Sequence, residues 1–119
     1  MVSLAVWILT IAVAAGAALA LWHIRAAEGT ARPPLAAGIV HGIIGGAGLA
    51  VLLVALRGPA RGVEAGAGSF GTISAVLFAS ALLIGLVVLA LRRNTVVMAI
   101  HAGIAIFGYA LLLAWSSLG

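Results

Sequence analysis

The 119-residue chain has no cysteine, no lysine and no aspartate. Without cysteine there is no disulfide, no thiolate-bound zinc, no iron–sulfur cluster and no covalently attached c-type haem. Charge of any kind is scarce, at 7% of residues, where a soluble domain carries roughly a quarter. The two acidic residues, Glu28 and Glu64, both fall between apolar runs, so no run contains a carboxylate. Small exporters coupled to protons or cations rely on a buried acid, and that class loses its central residue here. No Ser/His/Asp set, no HExxH pattern and no glycine-rich phosphate loop is present. Six arginines give a net charge of +4 and a pI near 11.7. They flank apolar segments, where positive charge sets membrane orientation, so the basicity does not indicate nucleic acid.

What is present is hydrophobic: 66% of residues, with a mean hydropathy of +1.37. Four runs stand out, at about Leu4–Ile24, Leu35–Leu56, Phe70–Leu91 and Val96–Leu118. Each has on the order of 20 residues, enough to cross roughly 30 Å of hydrocarbon as a helix. Lipid offers no partner to an unpaired backbone group, so the spans must be helices. Short connections predict an up-down-up-down four-helix transmembrane bundle forming one domain over residues 1–119. The first run has the small residues of a cleavage region but lacks the positively charged start of a signal peptide, so it is expected to be a retained span. Arg25, Arg32, Arg92 and Arg93 share one face of the membrane, and Arg57 and Arg61 the other. That bias predicts a cytoplasmic first face and both termini outside, periplasmic if the membrane is a bacterial inner membrane as expected, with Trp7 and Trp115 anchoring the outer interface and Trp22 the inner one.

Two apolar runs repeat a pattern. His41 and His101 are each followed by glycine at +7 (Gly48, Gly108), alanine at +9 and leucine at +11 and +12. The second and fourth helices are parallel in this topology, and both histidines lie roughly 9–11 Å in from the same interface. Two imidazoles at equal depth on two helices can grip one metal, and haem iron is the metal expected. Gly45 and Gly48 lie beneath His41, and Ala105 and Gly108 beneath His101. Such missing side chains admit a flat macrocycle. Neutral imidazole suits iron and adds no charge to the bilayer. Arg25, Arg92 and Arg93, with Arg32, gather at the nearer interface, where haem propionates could accept charge-assisted hydrogen bonds.

Plainer readings stand beside this one. Gly38, Gly42 and Gly46 form a small-xxx-small ridge that by itself explains close helix packing. The histidines could instead bond each other or a serine, although polar groups inside a membrane are costly and usually functional. His23, beside Trp22 and Arg25 at the boundary, is better placed to line a propionate or a quinone headgroup than to ligate. Aligning Arg25 with Arg93 puts Leu91 opposite His23, so a second bis-histidine site is missing. Met98 and Tyr109 are expected to pack.

On the two His-x6-Gly segments, the chain resembles bacterial four-helix b-type membrane cytochromes, in which transmembrane histidines hold haem between helices. The resemblance extends over the whole length in architecture. It implies haem b and electron transfer, commonly with quinol, and an electron carrier rather than a stand-alone enzyme. The di-haem members use four histidines; this chain has three, of which two match. One haem near one face implies a quinone, a redox partner protein or a homo-oligomer. The competing expectations are a non-redox or pigment-holding subunit of a larger complex, and a small transporter with structural histidines.

Overall fold

The computed structural model describes residues 1–29, 31–92 and 94–119. Among these, the regular elements are four α-helices: α1 (Val2–Ala27), α2 (Leu35–Ala55), α3 (Phe70–Ala90) and α4 (Thr95–Ser117). All four are long and apolar enough to cross a membrane, which fits an integral membrane protein in contact with lipid. The boundaries follow the expected spans except that α1 continues about one turn further, to Ala27. Nothing in its Ala/Leu-rich end breaks a helix, and Arg25 in the last turn complements the helix dipole.

Stops and starts have local causes. Gly29 follows α1 with φ +104°, a conformation that costs glycine nothing. Pro34 precedes α2 in an extended conformation, and its missing N–H is no loss at a helix start. The Asn94 side chain caps α4 by accepting from the Val97 amide at 3.0 Å.

The helices form a closed ring in which each packs on its neighbours in the order α1, α2, α3, α4 and back to α1. α1 and α3 are therefore diagonal, as are α2 and α4. The bundle measures 51 × 21 × 19 Å. Its core is a narrow axial column that includes Ala5, Leu9, Leu52, Ala75, Phe78, Leu112 and Trp115, with bulky apolar side chains such as Trp7, Ile43, Leu83 and Val96 turned outward. That outward face is what lipid requires.

The internal repeat extends to all four helices, but at two different shifts. α2 maps onto α4 with a shift of 60 residues: Gly48 and Gly108 are both buried, as are Leu52 and Leu112. α1 maps onto α3 with a shift of 69: Ala5 with Ser74, Leu9 with Phe78, Ala12 with Ala81, all buried. The contacts obey the same map. A Cβ on Gly48 would meet Ile8 and Leu9, and one on Gly108 would meet their counterparts Leu77 and Phe78. The first hairpin thus carries nine extra residues between its two helices' matching positions. His23 consequently corresponds to Arg92, which corrects the sequence alignment that placed it opposite Leu91.

One expectation about aromatic anchors is also corrected. Trp115, in the last turn of α4, is 3% exposed and turned into the bundle rather than toward lipid. Its indole fills the space left by Gly71, where a Cβ would lie 2.7 Å from Trp115 Cε2. Trp7 is exposed, and Trp22 is partly exposed with its indole N–H donating to the Ala31 carbonyl at 2.6 Å.

Candidate functional site

His41 and His101 are each the seventh residue of their helix, and the diagonal placement of α2 and α4 turns both toward the bundle axis. There the rings meet with centroids 6.0 Å apart and planes at 83°. The neighbouring helices supply no bulk at this level. His41 packs on Gly16 of α1 and His101 on Gly85 of α3, with Ala12 and Ala81 one turn away. Gly16 and Gly85 are equivalent under the 69-residue shift. They went unrecognised in the sequence because they lie outside the two His-x6-Gly segments, and no single shift aligns both helix pairs.

Hydrogen bonding assigns one tautomer. His101 Nδ1 lies 2.8 Å from the Ala81 carbonyl oxygen. A carbonyl can only accept, so Nδ1 carries the proton and, in the neutral ring, Nε2 keeps a free lone pair. A metal-bound histidine is oriented in this way by its second nitrogen. The matching atom on the other side, His41 Nδ1, is buried and has no hydrogen-bond partner. Ala12, the counterpart of Ala81, presents its carbonyl to this imidazole without reaching hydrogen-bond geometry.

Whether these residues suit a haem can be tested on this arrangement. Two opposed metal–imidazole bonds of about 2.0–2.1 Å, with ~1.1 Å from nitrogen to ring centre, require centroids about 6.3 Å apart. The observed 6.0 Å is close, and axial rings are free to adopt perpendicular planes. No group of three or more His, Cys, Asp or Glu occurs among the described residues. A bare zinc or copper ion would therefore lack ligands, whereas a porphyrin brings four of its own and needs two more. Donor set, the His101 tautomer and the centroid separation are compatible with the group, and the edge-to-face rings would have to turn to oppose their free nitrogens.

The remaining residues singled out from the sequence divide. Gly45 has open space beside it, with nothing within 4 Å of an added Cβ. Ala105 holds the equivalent half-buried position on α4. Gly48 and Gly108 differ from expectation: the space beside them is taken by Leu9 and Leu77, so they serve helix packing and leave no room for a ring. Gly38 is likewise filled, by Leu89 of α3, with a Cβ-to-Cδ2 distance of 2.7 Å. Arg25 is exposed at the last turn of α1. Arg92 donates from Nη2 to the Pro33 carbonyl at 2.8 Å, and Arg93 lies outside the described residues. His23 is half-buried near the end of α1 and stands well outside the histidine pair. Met98 is buried, as expected. Tyr109 is packed but not purely apolar: its hydroxyl lies 2.6 Å from Thr10 Oγ1. Thr10 already donates to the Val6 carbonyl, so the tyrosine is the donor.

Comparison with protein-family models, with curated proteins and with solved structures finds no match to this chain.

Proposed function

We propose that the chain is a membrane b-type cytochrome that holds one haem b between α2 and α4 by His41 and His101. The observation that carries this reading is the His101 imidazole. Its Nδ1 is committed to the Ala81 carbonyl, and its ring faces a second imidazole 6.0 Å away across the bundle axis. When bound, haem would supply a one-electron couple, and His41 and His101 as its two protein donors would favour electron transfer over oxygen chemistry. The protein's part is to fix the His101 ring through the Ala81 carbonyl, to limit ring travel through Gly16 and Gly85, and to exclude water with the apolar column beneath. Both histidines lie near one end of the bundle. The electron donor and acceptor are therefore assigned to partners, a quinol or a second redox protein, with an oligomer of this chain as the other arrangement. The arginine bias supports a cytoplasmic position for that end and periplasmic termini, in the bacterial inner membrane that the cytochrome reading implies.

The edge-to-face geometry of the rings favours a second reading, a structural pair that joins α2 to α4 in a colourless scaffold or transporter. Visible spectra of the detergent-purified protein, oxidised and dithionite-reduced, with a pyridine haemochrome assay, separate the two. The expected result is a sharp low-spin b-type α-band at about one haem per chain, lost in His41→Ala and His101→Ala and retained in His23→Ala. A colourless protein that takes up no added haemin would overturn the cytochrome and leave the structural pair.

A further inference from the structure

We infer that the cleft beside the α3–α4 turn is a headgroup site for an anionic phospholipid. The cleft is open, about 680 Å³, with Arg32, Arg92, Asn94 and Thr95 on its polar side and Leu91 and Val96 on its apolar side. Two guanidinium groups line it and no carboxylate does. It lies where α3 ends at Ala90 and α4 begins at Thr95, the level at which two apolar spans leave the hydrocarbon.

The residues on both sides of Arg32 are tethered. The carbonyl before it, of Ala31, accepts from the Trp22 indole of α1 at 2.6 Å. The carbonyl after it, of Pro33, accepts from Arg92 at 2.8 Å. The two tethers fix the backbone on either side of Arg32, which keeps the residue at the cleft. Arg92 spends Nη2 on its tether and keeps its other donors for a ligand. Two guanidinium groups lining one cleft offer charge-assisted donors to a phosphate, and Leu91 and Val96, 50% and 69% exposed, would continue the site along an acyl chain. A soluble phosphate would use the first feature and have no use for the second, so the occupant is assigned as a lipid. The site does not depend on haem.

Native mass spectrometry of the full chain in detergent, titrated with phosphatidylglycerol or phosphatidylcholine, tests this. Phosphatidylglycerol is expected to be retained at one per chain, several-fold over phosphatidylcholine. Arg32→Gln should lower retention about fivefold, the effect of roughly 1 kcal/mol for one arginine at an anionic surface. Arg32→Lys, which keeps the charge and loses the fork, should fall between the two. Arg57→Gln at the opposite end should retain lipid as the parent does. Equal retention of both lipids, or equal losses from Arg32→Gln and Arg57→Gln, would overturn the site. Displacement of the lipid by millimolar inorganic phosphate would also overturn the lipid assignment. Arg32 is exposed, so its variants should melt as the parent does, and the lipid readout is then separate from folding.

Discussion

Replacing Gly16 with alanine should damage the histidine site more than the same change at its counterpart, Gly85. The added Cβ at Gly16 would lie 2.8 Å from His41 Cε1, about 0.6 Å short of the 3.4 Å at which ordinary contact begins. At Gly85 the nearest atom, His101 Cε1, is 3.2 Å away, a shortfall of about 0.2 Å. Ligand sites tolerate displacements of about 0.5 Å, so the first change exceeds the tolerance and the second does not. Alanine also favours the helix by about 1 kcal/mol over glycine, while overpacking costs roughly 1–3 kcal/mol. Gly85→Ala should therefore be neutral or slightly stabilising, and Gly16→Ala neutral to about 2 kcal/mol destabilising. His101 has its Ala81 bond to hold it in place, and His41 has no such anchor. Haemin titration followed in the Soret band should show about 10- to 100-fold weaker uptake for Gly16→Ala, the usual cost of disturbing a residue that orients a metal ligand. Gly85→Ala should stay within a few-fold of the parent. Equal affinities for parent and Gly16→Ala with unchanged low-spin spectra, or a larger loss at Gly85, would refute this account of the ring positions.

Three changes test the packing. Gly48→Ala puts a Cβ 2.7 Å from the branch carbon of fully buried Leu9 and should lower stability by about 1–3 kcal/mol. Thermal melting in detergent should show part of that loss recovered when Leu9→Ala is added. Ser74→Ala removes the buried 2.8 Å bond to the Gly108 carbonyl that joins α3 to α4. The cost expected in a chemical-denaturation series is about 0.6 kcal/mol, the average for such bonds between membrane helices; a loss above 3 kcal/mol would mean the hydroxyl does more than bridge two helices. Gly71→Ala drives a Cβ to 2.7 Å from the Trp115 indole and should red-shift tryptophan emission as that ring leaves the core. An unchanged spectrum would contradict its buried placement.

Much of the fold was legible because a bilayer leaves so few choices. Four apolar runs of spanning length admit little besides four helices, and short loops force neighbours to be antiparallel. The histidine pair was legible for a related reason. One lies on each copy of a repeat, seven residues before a glycine, so their equal depth is a matter of counting. The roles of the glycines were less accessible. Gly48 and Gly45 look alike along α2, yet one is pressed against Leu9 and the other has open space beside it. That difference belongs to the facing helix. Trp115 was misplaced for the same reason: the hole that receives it is made by Gly71, 44 positions away in the chain.

Composition and run length alone thus determined the membrane class, the number of spans, their alternation and the shared depth of His41 and His101, because each depends on local hydrophobicity and helical rise. Tertiary structure alone decided that α1 and α3 repeat at a 69-residue shift, that Gly16 and Gly85 floor the imidazoles, and that Ala81 sets the tautomer of His101. Those features depend on which helices are neighbours and which are diagonal, and on how far one slides along the next. Side chains that meet across helices fix that register, and a linear pattern of apolar residues does not record it.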